Sequence, residues 1–232
     1  MNDTVILIPT YNERENIERL LQIILDLYPD MDILIIDDNS VDGTIEVIRR
    51  FSESYRNIHY IIRVDERGLG SALLRGYREA IERGYKYLIQ MDADLQHDPA
   101  YISELMDRLK GGCDIVIASR YIEGGGIENW SLTRRIISWG ANTFVRLLLG
   151  IKARDLTSGY RGFNLSKLNE VLDDLEGASG FVMQVETAYH MHRKGFKICE
   201  VPFIFKSRAH GTSKLGFKVV LEFFIRVLKL RF

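Results

Sequence analysis

The chain contains two cysteines. Cys113 and Cys199 stand far apart on segments that read as strands, without metal-ligand spacing. A thiolate metal centre is excluded, and two buried free thiols are expected. Long apolar runs are missing as well: no stretch reaches the roughly 18 residues of a membrane span. Neither sign of charge prevails, and a formal net charge of -1 argues against a general nucleic-acid binder. No leader pattern precedes the first apolar run, which follows Met1-Asn2-Asp3-Thr4 directly. Repeats and low-complexity segments are absent too. What is there, 46% hydrophobic and 27% charged over 232 residues, is ordinary globular composition for one large domain or two small ones. Charge is uneven along the chain: from Met191 onward ten Lys and Arg face two acids, Glu200 and Glu222.

Apolar runs of strand length are present, and they end in polar residues. Val5-Ile6-Leu7-Ile8 and Ile33-Leu34-Ile35-Ile36 are continuous, as in strands covered on both faces. Further strands are expected at 58–62, just before Asp92, and at 114–118. Between them the spacing predicts helices over 15–27, opened by Asn12, then 42–51, 68–83 and 99–109. This alternation makes an α/β fold with a mostly parallel sheet and helices on both faces. The Gly68-Leu69-Gly70 turn lacks the third glycine of a dinucleotide fingerprint and follows the third strand, so it reads as a packing turn at a helix N-terminus near an anion.

The central strand ends in Asp92-Ala93-Asp94-Leu95-Gln96-His97-Asp98-Pro99. That places two carboxylates at the sheet's C-terminal edge, where open α/β sheets bind ligands. Asp92, Asp94 and the Gln96 amide oxygen suit a hard cation such as Mg²⁺ or Mn²⁺. The alternative is an acidic turn before a helix, and Asp98-Pro99 does read as an N-cap with Pro in the first helical position. Residues 9–13, 37–40 and 119–121 put polar groups at three further strand ends, as a nucleotide-binding sheet requires.

After Gly124-Gly125-Gly126, expected to form a mobile loop, the alternation stops. A long helix over 131–149 follows, then a turn and strand over 157–163, a short helix capped by Ser166, a helix over 181–193 containing Glu186, a strand over 197–205 and a cationic loop over 206–214. Residues 217–232 read as an amphipathic helix, either docked on the core or lying on anionic lipid; the spread of apolar residues round the helix favours lipid.

Ile8-Pro9-Thr10-Tyr11-Asn12-Glu13, Asp37-Asp38-Asn39-Ser40 and Asp92-Ala93-Asp94-Leu95-Gln96-His97 resemble signature segments of inverting GT-A (Rossmann-like) glycosyltransferases. With Gly68-Leu69-Gly70, Ala118-Ser119-Arg120-Tyr121, Ser158-Gly159-Tyr160-Arg161 and His210-Gly211-x-Ser213-Lys214, the chain is similar to the dolichol-phosphate (polyprenol-phosphate) mannosyltransferases, in a short form with the catalytic domain alone. The division expected is a catalytic domain over 1–214 and a membrane-associating amphipathic helix over 215–232. The resemblance implies transfer of mannose from GDP-mannose to a dolichyl or polyprenyl phosphate with inversion, on the cytoplasmic face of a membrane, by a peripheral protein without a transmembrane helix. A small membrane subunit is a second means of attachment. Other readings are a polyprenyl-phosphate glucosyltransferase using a UDP-sugar, a non-catalytic sugar-nucleotide-binding subunit, and a soluble transferase acting on a sugar hydroxyl.

By the same resemblance, Pro9, Tyr11, Glu13, Ile36 and Asp38 surround the nucleotide, with Tyr11 stacked on the base or else in the core. One of Asp37 and Asp38 is expected to cap the next helix. Asp92, Ala93, Asp94 and Gln96 lie at the diphosphate and its metal. An anionic acceptor must approach an anionic donor, so cations are required; Arg120, Arg135, Arg208 and Lys214 are the candidates, since guanidinium matches phosphate geometry. Arg134 is an alternative to Arg135, and Ser138, one turn on, adds a hydroxyl. Glu186 either contacts sugar hydroxyls or is solvated. His97 supports the metal turn, whereas His190 and His192, two apart on a helix, cannot share a face.

Overall fold

A computed structural model describes residues 3–175, 180, 182–206 and 217–231. Nine strands are formed among them: β1 Thr4–Thr10, β2 Asp32–Asp37, β3 Ile58–Ile62, β4 Tyr87–Gln90, β5 Ile115–Ser119, β6 Gly126–Ile127, β7 Arg161–Asn164, β8 Ile198–Pro202 and β9 Ile204–Phe205. Seven make one sheet in the order β3-β2-β1-β4-β7-β5-β8, and β6 pairs with β9 separately. β7 alone runs antiparallel in the main sheet, between β4 and β5. Its first residue, Arg161, therefore sits opposite Gln90 and Ile117, at the same edge as the C-terminal ends of the parallel strands.

Helices α1 Arg14–Leu27, α2 Thr44–Ser54, α3 Leu69–Glu82, α4 Ile102–Lys110, α5 Leu132–Leu149, α6 Leu165–Asn169, α7 Val182–Arg193 and α8 Phe217–Arg231 cover the sheet. The continuous apolar strands are explained by two cores. On β1, Val5 and Leu7 enter one core with residues of α3, α5, α6, α7 and α8. Ile6 and Ile8 enter the other with residues of α1, α2 and α4. Each such side chain, wholly removed from water, contributes roughly 1.5–3 kcal/mol, so both faces of the sheet are held.

The mostly parallel α/β sheet is as expected, but several local expectations are corrected. Cys113 and Cys199 are not free thiols: they form a disulfide, their Cα atoms 6.1 Å apart, because β5 and β8 are neighbours in the sheet. Closing a loop of 86 residues stabilises the fold by about 4.6 kcal/mol if the effect is chain entropy. Asn12 does not cap α1; Glu13 is the N-cap residue, and Asn12 accepts from Val41 N at 3.0 Å. Neither Asp37 nor Asp38 caps α2; Asp42 accepts from Thr44 N at 3.0 Å. Asn164 rather than Ser166 caps α6, its side chain accepting from Ser166 N.

Of the three consecutive glycines, Gly124 and Gly125 lie in a turn and Gly126 begins β6. A Cβ on Gly125 would stand 2.5 Å from Ser119 O, so glycine is needed there for close approach. Part of α8 docks on the core, with Phe223 and Val227 buried and Phe224 edge-on to Phe144 at 5.1 Å.

Candidate active site

β1, β2, β4 and β5 point the same way, so residues 9–13, 37–40, 92–96 and 119–121 gather along one edge. Strand order departs in opposite directions from the β1/β4 pair, which places the ligand crevice beside Tyr11 and Asp92. Hydrogen bonds knit the loops there. Asn12 N donates to Ser40 Oγ at 2.8 Å, and Glu13 N to Thr44 Oγ1 at 2.9 Å. Asp37, wholly buried, accepts from Thr10 Oγ1 at 2.7 Å and Ser40 N at 2.8 Å, and so holds the turn.

On the nucleotide side, Pro9 sits in register with Ile36. Ile36 has its side chain wholly in the core, so it can offer a ligand only its main chain. Asp38 is buried, and both its oxygens are engaged. One takes Arg63 Nε at 2.7 Å and also Arg63 Nη2; the other takes Gly68 N at 2.7 Å. Gly68 has φ of 133°, a conformation that only glycine adopts without strain, which explains the Gly-rich turn. Tyr11 is not core: it is 42% exposed, and the Arg67 guanidinium stands 5.2 Å from its ring centre. Glu13 Oε2 accepts from Asn16 Nδ2 at 2.7 Å. Arg63 and Arg67 were not among the candidates read from the sequence; isolated arginines past a strand give no periodic signal.

The acidic turn is built on strain and stacking. Leu95, between Asp94 and Gln96, has φ of 62°, rare for a bulky residue and characteristic of functional turns. Asp94 is 8% exposed and accepts from Gln96 N at 3.0 Å; Ala93 is buried beside it. The Asp92 side chain is 41% exposed. His97 is buried, accepts from Asp92 N through Nδ1 at 2.9 Å and stacks on Tyr160 at 4.9 Å. Through that bond it holds the start of the turn. Gln96 Nε2 donates to Lys206 O at 3.1 Å, bringing the segment after β9 to this turn.

Asp92, Asp94 and Gln96 carry hard oxygen donors, and Gly159 lies against the first of them: a Cβ there would make an ordinary contact, 3.7 Å from both carboxylate oxygens. Among the described residues no three His, Cys, Asp or Glu side chains converge on one point. Two carboxylates and an amide on one turn would suit a cation completed by water and phosphate oxygens.

Arg120 and Arg135 line one cavity of about 310 Å³ with Tyr121, Ile127, Ile136 and Trp139. Ser138 is reached through one of these residues, accepting from Tyr121 OH at 2.7 Å. Arg135 donates to Ile127 O at 2.6 Å. Arg134 instead packs on Trp130, its guanidinium 3.8 Å from the ring centre. Arg120 is more constrained than a surface cation: Nε and Nη2 donate to the two oxygens of wholly buried Asp155, each at 2.7 Å. Burial pushes the Asp155 carboxyl up, but the Arg120 guanidinium and its hydrogen bonds bring it below its ordinary value. Phe205 lies 5.6 Å from the Arg120 guanidinium and 6.4 Å from His97, so one ring stands between Arg120 and the residue that holds Asp92 N.

Glu186 is half-buried; burial raises its carboxyl, and the charge it senses is Arg226 of α8. Arg208 and Lys214 lie outside the described residues.

Residues 5–172 match the model of Glycosyl transferase family 2. The chain is 35% identical over 225 residues to the polyprenol monophosphomannose synthase of Mycolicibacterium smegmatis, covering 97% of this chain and 85% of that protein. It is 40% identical over 228 residues to the dolichol-phosphate mannosyltransferase of Pyrococcus furiosus, covering 97% of this chain but 62% of that longer protein. Its fold is similar to glucosyl-3-phosphoglycerate synthase from Mycobacterium tuberculosis, solved with Mn²⁺, UDP and glucosyl-3-phosphoglycerate: TM-score 0.69, 18% identity, 98% of this chain and 79% of that one. The signature segments at the edge of a GT-A sheet and the extent of these matches agree: the chain belongs to glycosyl transferase family 2.

Proposed function

We propose that this glycosyltransferase moves mannose from GDP-mannose to a polyprenyl (dolichyl) phosphate with inversion. The observation that carries this reading is an acidic strand-end turn linked through Phe205 to Arg120, which with Arg135 lines a cavity. Relatives named for polyprenol, undecaprenyl and dolichol phosphate mannose transfer support it. Asp92, Asp94 and Gln96 would hold the divalent ion, Mg²⁺ or Mn²⁺, which when bound offsets charge growing on the leaving diphosphate.

Arg120 and Arg135 let the acceptor phosphate approach despite donor charge, and Ser138 supplies a hydroxyl beside them. An acceptor oxygen attacks the sugar carbon from the face opposite the diphosphate. The new carbon–oxygen bond forms as the bond to the diphosphate breaks, and the electron pair leaves with GDP. A phosphate monoester is already ionised at neutral pH, so no side chain need act as general base. Tyr11 and Arg67 flank the nucleotide.

A mass-resolved product assay with GDP-mannose, UDP-glucose and a short prenyl phosphate tests the reading. We expect mannosyl product from GDP-mannose alone. Glucosyl product from UDP-glucose would reassign the donor, and no product from either would favour a binding subunit.

Among the described residues no helix is long and apolar enough to cross a membrane. Attachment at a surface is supported by α5, which exposes Leu132, Ile136, Trp139 and Leu147 on one face, at 73%, 58%, 59% and 74%. α8 adds Ile225 and Leu228. Leu132→Glu with Leu147→Glu is expected to weaken flotation with anionic liposomes by roughly tenfold or more, given about 2 kcal/mol per buried leucine. Unchanged flotation would remove α5 from the membrane contact.

A further inference from the structure

Arg120 lines the cavity with most of its guanidinium already engaged. Its Nε and Nη2 are taken by Asp155, and Nη2 also donates to Thr157 Oγ1 at 2.9 Å. Among the described residues Nη1 donates to none. The Arg120 main chain is held by the same carboxylate, with N to Asp155 Oδ2 at 3.0 Å. Asp155 is itself fixed. Glu200 on β8 accepts from Arg154 N at 2.9 Å and Asp155 N at 3.1 Å. Buried Asn142 on α5 closes the other side: its oxygen takes Leu156 N at 2.8 Å, and its nitrogen donates to Thr157 Oγ1 and Ser138 O, each at 3.0 Å. One buried network therefore joins Arg120, at the end of β5, to the turn of α5 that carries Ser138.

We propose that Asp155 is a positioning residue: it holds the Arg120 guanidinium so that Nη1 faces the cavity, with Thr157 and Asn142 keeping that setting in register with α5. This rests on the reading that the cavity takes the acceptor phosphate. The reason is geometric. An arginine on a long stem would otherwise sample many rotamers, and a second-row carboxylate that occupies two donors leaves one direction for the third. The pair brings little net charge to the cavity wall, so Arg120 acts there by directed hydrogen bonding, while Arg135 supplies the less compensated cation. Residues 155–157 are placed for this because β7 enters the sheet antiparallel, which returns the preceding loop to the strand-end edge.

The test is steady-state transfer by the intact chain, with GDP-mannose and farnesyl phosphate varied separately. Asp155→Asn keeps the shape but presents a donor to Arg120. We expect it to lower kcat/KM for the acceptor by roughly 100-fold, the scale of an ångström-size misplacement, with the donor KM within about twofold. Thr157→Val, which removes only the bridging hydroxyl, should lower it by about fivefold, one hydrogen bond; it carries the test if Asp155→Asn does not fold. In an Arg120→Lys background, Asp155→Asn should add less than about twofold, because the carboxylate works through the arginine. Acceptor kinetics unchanged in Thr157→Val, equal rises in donor and acceptor KM, or additive losses in the double variant would each overturn the positioning role. A wild type that transfers no sugar to farnesyl phosphate would instead overturn the reading beneath it, and this role with it.

Discussion

Asp94→Asn is expected to abolish turnover, by roughly 10³-fold or more, while leaving the fold intact. The two halves of that expectation have separate grounds. Asp94 accepts from Gln96 N through Oδ1 at 3.0 Å, and an asparagine oxygen can accept the same bond. The turn, strained at Leu95, therefore keeps its tether. What is lost is the negative charge beside Asp92, and with it the hard-cation site. Removing a single preorganised group that stabilises charge in a transition state lowers rates by roughly 10²–10³-fold, and here the variant would weaken a whole cation rather than one donor. Product formation under saturating GDP-mannose, measured with a thermal melt of the same preparation, checks both halves. A rate within tenfold of wild type, with the melt unchanged, would show that the acidic turn is structural.

The second large effect falls on stability. Arg161→Leu should lower the melting temperature by about 10 °C or more. Arg161 is wholly buried, and its guanidinium donates to three main-chain carbonyls: Leu156 O at 2.6 Å, Ser158 O at 2.7 Å and Gln184 O at 2.5 Å. Burial lowers its pKa to about 10, so it remains charged at neutral pH. Leucine fills the volume but strands three buried acceptors, each worth about 1–3 kcal/mol when left unpaired. That loss is a large part of the roughly 5–15 kcal/mol by which domains are stable. Lysine should rescue poorly, because an ammonium lacks the planar fork that spans carbonyls from two segments. Differential scanning calorimetry decides it; Arg161→Leu melting within 3 °C of wild type would mean that those carbonyls find other donors.

The outcome for Arg161 bears on how such signatures are read. Ser158-Gly159-Tyr160-Arg161 counts toward the family resemblance, yet Arg161 spends its charge on the main chain and Tyr160 stacks under His97. Those two side chains serve the framework around the acidic turn. Asp38, an acid at a strand end that reads as a base acceptor, has Arg63 and Gly68 as its partners in the structure. The place of the acidic turn, by contrast, was legible. An apolar strand that ends in Asp-x-Asp can place those groups only at the sheet's C-terminal edge, whatever packs around it.

What the order of residues determined alone were the features that depend on near neighbours. The continuous apolar strands, the helical periodicities of α1 to α5 and the acid at the end of β4 follow from spacings of two to four residues. Their alternation then leaves few topologies. Only the tertiary structure decided which distant side chains meet. Arg120 meets Asp155 across 35 positions, and Cys113 meets Cys199 across 86. Nothing local signals either pair, because each depends on β7 entering the sheet antiparallel and β8 closing its edge. The exposed face of α5 is of the same kind. Its apolar stripe looks like any core-facing stripe until the sheet and the other helices have taken their places and left it facing outward.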